Sequence, residues 1–181
     1  YIGIVFANSK RKVDRKQAKE MIEGLDFGSV KLVGVFMDQD VEEVLETASF
    51  VGLNIIQLHG KESNKYIGTL KSRFDGEIWK AIPGSKESLK DFNNISADLV
   101  LVDSTKGGGS GEVADWELIE RFQEDFNKPY FLAGGLSVGN ILTALGNLRP
   151  AGLDISSGIE IDGNKSFELM NEISRMVKND G

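Results

Sequence analysis

Two stretches near the C-terminus decide the fold: Phe131-Leu-Ala-Gly-Gly-Leu136 and Leu153-Asp-Ile-Ser-Ser-Gly-Ile-Glu160. Each is a short apolar run that stops at small residues and leads into a helical stretch. Glycine lets the backbone approach a ligand closely and adopt torsions other residues resist, so Gly134, Gly135 and Gly158 mark sharp strand-to-helix turns. The start of a following helix carries free N–H groups and the positive end of a dipole, a setting that suits an anion. Two ordinary βα turns would give the same pattern, so the loops need the rest of the chain for their meaning.

Upstream, the same rhythm repeats. Strand-length apolar runs are Tyr1–Phe6, Lys31–Phe36, Asn54–Leu58, Glu77–Ile82, Asp98–Val102, Pro129–Ala133 and Gly152–Ile155. Most are continuous rather than alternating, as expected of parallel strands buried on both faces. Amphipathic stretches at 14–24, 40–51, 62–73, 85–93, 115–125, 138–147 and 166–178 separate or follow them. Asp14 with Gln17 reads as a capping box, and Asp115, Ser137 and Ser166 occupy N-cap positions. Regular strand–helix alternation predicts a right-handed parallel α/β fold. The expectation is a single domain over residues 1–181, a (β/α)₈ TIM barrel of which seven βα units are present. Tyr1 opens the chain inside a strand-like run, so the first unit is expected to be missing. An open doubly wound sheet would carry a glycine fingerprint after its first strand, and none is present. In a barrel, a phosphate typically sits in the loops after the last two strands, here those of Gly134–Gly135 and Gly158.

Composition narrows the function. The chain has 181 residues, 40% apolar and 27% charged, with net charge −7 and no cysteine. Disulfides and thiolate metal sites are excluded, and no cluster has metal-ligand spacing. No apolar run reaches the eighteen or so residues of a membrane span, and no signal peptide is expected, because the N-terminal apolar run is short and has no basic flank before it. A cytoplasmic location is expected. The acidic balance without a basic stripe argues against nucleic acid. A phosphate or carboxylate would need local positive charge.

Catalytic groups in a barrel sit at the C-terminal ends of strands. Asp103 ends a buried apolar run, where a carboxylate is costly unless paired or functional. Burial there would raise its pKa and suit it to general acid catalysis. Arg11 lies in the polar loop after the first run and could clamp a carboxylate or phosphate through its fork, or be one of three solvated cations with Lys10 and Lys12. His59 is the single histidine, and a lone histidine is more often structural than catalytic. Asp154, inside the last strand, suits a ligand contact or a structural hydrogen bond equally. Lys106–Gly111, with its Gly107-Gly-Gly-Ser-Gly111 run, reads as a flexible loop or a lid. It is not a P-loop, because no Gly-Lys-Ser/Thr ends it.

Taken together, the segments Gly3-Ile-Val-Phe6 with Ser9-Lys-Arg11, Val33-Gly-Val-Phe36, Ile56-Gln-Leu-His-Gly60, Leu101-Val-Asp103, Gly108-Gly-Ser-Gly111 with Asp115-Trp116, and the two C-terminal loops resemble the phosphoribosylanthranilate isomerase family of tryptophan biosynthesis. The resemblance implies an Amadori rearrangement of N-(5'-phosphoribosyl)anthranilate to 1-(2-carboxyphenylamino)-1-deoxyribulose 5-phosphate, with no cofactor and no metal. It implies Asp103 as general acid and Arg11 as the group holding the anthranilate carboxylate. Gly134, Gly135, Ser156, Ser157 and Gly158 fall on the phosphate site, with His59 and Asp154 lining the pocket. The implied partner is a small phosphorylated substrate, and the implied state a monomer or homodimer. The family's general base, a cysteine at the end of its first strand, has no counterpart here. A non-catalytic phosphate-binding barrel fragment or pseudoenzyme is therefore the alternative. Indole-glycerol-phosphate synthase and ribulose-phosphate epimerase fit less well: the former's catalytic lysines and the latter's metal-binding histidines have no match.

Overall fold

A computed structural model describes residues 1–103 and 116–179. Among the described residues, seven parallel strands form one sheet in the order β1-β2-β3-β4-β5-β6-β7. They are β1 (Ile2–Val5), β2 (Leu32–Phe36), β3 (Ile55–Leu58), β4 (Glu77–Pro83), β5 (Leu99–Asp103), β6 (Tyr130–Leu132) and β7 (Gly152–Leu153). The helices are α1 (Arg15–Ile22), α2 (Val41–Val51), α3 (Asn64–Lys71), α4 (Lys86–Asp91), α5 (Trp116–Gln123), α6 (Ile141–Asn147) and α7 (Phe167–Asn179). Each expected strand and helix is present within a few residues of its expected bounds. The chain packs as two compact units, residues 1–81 with 95–99, and residues 82–94 with 100–181.

The first unit shows why its strands read as unbroken apolar runs. Ile56, Leu58 and Ile78 pack with Val44, Ala48 and Val51 of α2 and with Ile67 and Leu70 of α3. On the other face Val33, Ile55, Gln57 and Trp79 are buried too. Both pleat faces are covered, so alternation disappears. The helices start where short polar side chains can satisfy their first N–H groups. Asp14 Oδ1 accepts from Lys16 N (2.8 Å) and Gln17 N (2.9 Å), while Gln17 Oε1 accepts from Asp14 N (2.8 Å), completing the expected capping box. Asp40 caps α2 and Ser63 caps α3; Gly52, at φ 84°, closes α2 in the left-handed region.

In the second unit two details depart from expectation. Ser137 is not the N-cap of α6: the helix starts at Ile141 with Asn140 at the cap. Ser137 instead opens a turn, its carbonyl accepting from Asn140 N and Ile141 N at 3.1 Å. The Asn140 side chain braces that turn, accepting from Ser137 N and donating to Gly135 O, both at 2.9 Å. Between β7 and α7 lies an unexpected antiparallel hairpin, β8 (Glu160–Ile161) with β9 (Asn164–Lys165). Its turn is Asp162-Gly163, both at positive φ (52° and 80°), the torsions a tight two-residue hairpin requires. Ser166 is the cap expected for α7, accepting from Leu169 N at 3.3 Å. The Asp115 cap and the Lys106–Gly111 loop lie outside the described residues.

Candidate functional site

Within the second unit the ends of β5, β6 and β7 run side by side. Ala133 N donates to Val102 O and Asp154 N donates to Leu132 O, both at 2.9 Å. These bonds continue the register Val102↔Leu132↔Leu153 by one rung. Asp103, Ala133 and Asp154 therefore share a rung and a face, the two carboxylates flanking a small residue. Asp103 is held by its carbonyl, which accepts from Gly84 N at 2.8 Å. Burial pushes the Asp154 carboxyl above the usual carboxylate range, and the Asp103 charge pushes it further, with Lys165 pulling the other way.

The two glycine loops meet directly beyond that rung. Gly134 and Gly135 both take positive φ, 84° and 67°, which residues with a Cβ resist. At Gly158 a Cβ would collide with the Leu136 carbonyl, 2.8 Å from its carbon and 3.0 Å from Ser137 Cα. The backbones of the β6 and β7 loops are thus in contact, and only glycine permits it. Ser157–Ile159 forms a short 3₁₀ turn directly after Ser156. That turn, rather than α6, is the helical start nearest the loop contact, because α6 begins six residues after Gly135. Lys165 closes the arrangement: its ammonium donates to Ser156 O (2.7 Å) and Glu160 Oε1 (2.8 Å). Asp103, Gly134, Gly135, Asp154, Ser156, Ser157 and Gly158 are thus brought to one end of this unit.

In the first unit, Arg11 and His59 occupy separate strand ends. Arg11 is exposed on the loop after β1, its N–H donating to Ser9 Oγ at 3.2 Å. That loop turns back on its strand, Val13 N donating to Val5 O at 2.9 Å. His59 directly follows β3. Its N–H donates to Phe36 O at 2.8 Å, and its Nε2 lies 2.9 Å from Gln57 Oε1.

Two lysines escaped the reading of the sequence. Lys165 reaches Ser156 through the hairpin, and the Asp162-Gly163 pair that makes the turn was a legible signal for it. Lys80 sits inside the otherwise apolar run Ile78–Ile82 and is buried, at 7% exposure. A charge in a run covered on both faces must find partners, and that alone singles it out.

Comparison with known proteins finds relatives that cover nearly the whole chain. A family model described as N-(5'phosphoribosyl)anthranilate (PRA) isomerase matches residues 1–176. The N-(5'-phosphoribosyl)anthranilate isomerase of Clostridium acetobutylicum is 38% identical over 98% of this chain and 87% of its own length. The crystal structure of phosphoribosyl anthranilate isomerase from Thermotoga maritima superposes with a TM-score of 0.87 at 31% identity, covering 98% of this chain and 87% of that one. A further crystal structure of the isomerase, in complex with reduced 1-(o-carboxyphenylamino)-1-deoxyribulose 5-phosphate, superposes at 0.81 and 29% identity, covering 98% and 86%.

Proposed function

The chain belongs to the N-(5'-phosphoribosyl)anthranilate isomerase family, and from that premise we propose how its own residues carry the reaction. It is an isomerase of tryptophan biosynthesis, converting N-(5'-phosphoribosyl)anthranilate to 1-(2-carboxyphenylamino)-1-deoxyribulose 5-phosphate. Its parallel sheet is read as that of a (β/α)₈-barrel domain, and its place of work as the cytoplasm.

The reaction opens a furanose ring and then removes a proton from C2; the family's cysteine base for that second step has no counterpart in this sequence, so the residues below account for substrate binding and ring opening. Ring opening needs a proton at the ring oxygen as the C1–O bond breaks. Asp103 supplies it. The observation that carries this assignment is the shared rung: Asp103 ends β5 one small residue away from Asp154. From that strand end its carboxyl can reach a substrate held against the two glycine loops. Asp154, beside it, accepts from the substrate's amino-sugar portion. The phosphate lies where Gly134–Gly135 and Ser156–Gly158 bring backbone N–H groups together at the start of the 3₁₀ turn. Lys165 holds Ser156 in place there. Arg11 holds the anthranilate carboxylate through its planar fork, a local positive charge within a chain of net charge −7. His59 lines the pocket.

Steady-state kinetics on the variants test this. Asp103→Asn should lower kcat by about 10² or more, with KM little changed, because general acid catalysis is worth about 10²–10⁴. Arg11→Ala should act mainly on KM, and Arg11→Lys should restore it only in part, since an ammonium lacks the fork. An Asp103→Asn protein within threefold of wild-type kcat would remove Asp103 from the mechanism. Unchanged KM in both Arg11 variants would remove Arg11.

A further inference from the structure

We propose that Lys80 is a positioning residue for His59, acting through a buried ionic clamp on the loop after β3. The proposal rests on the functional reading above, in which His59 lines the substrate pocket. Lys80 follows Ile78 on the helix-facing row of β4 and is paired in register with Leu58. Among the described residues its ammonium has four oxygens within reach. They are Leu58 O (3.3 Å), Gly60 O (2.7 Å), Ala81 O (3.2 Å) and Glu62 Oε2 (3.1 Å). Leu58 and Gly60 are the residues on either side of His59. One ammonium therefore fixes the peptide groups that bracket the histidine.

The far side of the loop is fixed as firmly. Glu62, its side chain 2% exposed, turns its other oxygen to Asp38 N (2.9 Å) and Gly60 N (3.2 Å). Asp38 in turn accepts from Lys61 N at 2.6 Å while holding a left-handed φ of 55°. Gly60 lies so close to this turn that a Cβ would be 2.5 Å from Asp38 Cγ and 2.7 Å from Asp38 N. Residues 58–62 are thus tied to β4 through Lys80 and to the end of β2 through Asp38. His59 projects from their midst, and Gln57 on the strand fixes the ring itself.

A buried ion pair is a poor source of stability, because desolvating both charges offsets much of their attraction. An apolar pair of the same volume would hold β3 and β4 together at least as well. What the ionic pair adds is direction: the carbonyls of Leu58 and Gly60, the β4 carbonyl of Ala81 and the Glu62 carboxylate meet one ammonium at defined positions. A pocket group held by such a shell is worth the cost, since a displacement of about 1 Å can lower a rate about 10²-fold.

His59 is the only histidine in the sequence, so its ring gives unambiguous ¹⁵N resonances. The test compares wild type, Lys80→Met and Glu62→Gln by ring ¹H–¹⁵N spectra, steady-state kinetics and thermal melting. Wild type should show a single tautomer. Lys80→Met should mix the tautomers or shift both ring nitrogens, and raise KM about tenfold with kcat changed less than KM. Glu62→Gln should move both readouts the same way by less, because the amide can still accept from Asp38 N and Gly60 N. If Lys80→Met does not fold, Glu62→Gln decides. A lowered melting temperature with an unchanged ring spectrum, or with unchanged KM, would overturn the proposal and leave Lys80 a packing residue. Lack of turnover by wild type would instead overturn the functional reading. The substrate-free spectra would then still decide whether Lys80 sets the ring.

Discussion

At the scale of single residues, surroundings that oppose a charge decide how the group behaves. Asp154 shows the sign of the effect. Burial first, and the Asp103 charge second, raise its carboxyl pKa in the folded chain. The folded state then binds this proton more tightly than the unfolded chain, where an aspartate titrates near about 3.9. Stability contributed by the group is present at low pH and falls as pH rises from that value through the raised one. Asp154→Asn removes the penalty. The variant should therefore melt above wild type at pH 7, with the difference shrinking toward pH 4. A variant less stable than wild type at pH 7 would mean that Asp154 is held as a paired carboxylate. The same coupling predicts that Asp103→Asn lowers the Asp154 pKa, which a carboxyl-resolved titration would read directly.

At the scale of elements, the two glycine loops act as one piece. Gly158 lies against the Leu136 carbonyl with no space for a Cβ. Gly158→Ala should push the β6 and β7 loops apart, costing about 1–3 kcal/mol in stability as overpacking does. It should also weaken inhibition by inorganic phosphate. Gly139→Ala is the matched control. Its Cβ would meet Ser137 Oγ at an ordinary 3.8 Å, so both readouts should stay near wild type. Equal effects from the two substitutions would show that the loop contact has no part in phosphate binding. The strands and helices themselves were legible because parallel strands buried on both faces read as continuous apolar runs, and capped amphipathic helices separate them. Asp14 with Gln17 announced its capping box from four residues. Ser137 misled because serine, in a loop next to a helix, serves a turn as readily as a cap. What distinguished the cases was Asn140, whose side chain ties Ser137 and Gly135 into a turn before the helix begins.

At the scale of the whole molecule, charge sets behaviour in solution. With 28 acidic against 21 basic residues the chain reaches zero net charge near pH 4.9. Association and precipitation rise where self-repulsion vanishes. Light scattering should therefore show aggregation greatest near that pH and least at pH 7–8. A solubility minimum well above pH 6 would mean that exposed apolar surface, not net charge, governs association. Among the described residues no helix is long and apolar enough to cross a membrane.

The amino-acid sequence by itself determined the order of strands and helices, the fold class and the family. Those properties are local: periodicity, caps, glycine placement and strand-end motifs are written within a few residues of one another. It also marked Asp103 and Asp154 as charges out of place in apolar strands. Only the tertiary structure decided that these two carboxyls share a rung, because register between β5, β6 and β7 is set by hydrogen bonds across about 50 residues of chain. Only it decided that Gly158 meets Leu136, and that Lys165 returns to Ser156 across a hairpin. The same holds for Lys80. In sequence it is one lysine in a strand; in the fold it is an ammonium shared by residues 58, 60, 62 and 81. A buried charge is defined by its partners, and partners distant in sequence are chosen by packing, not by local pattern.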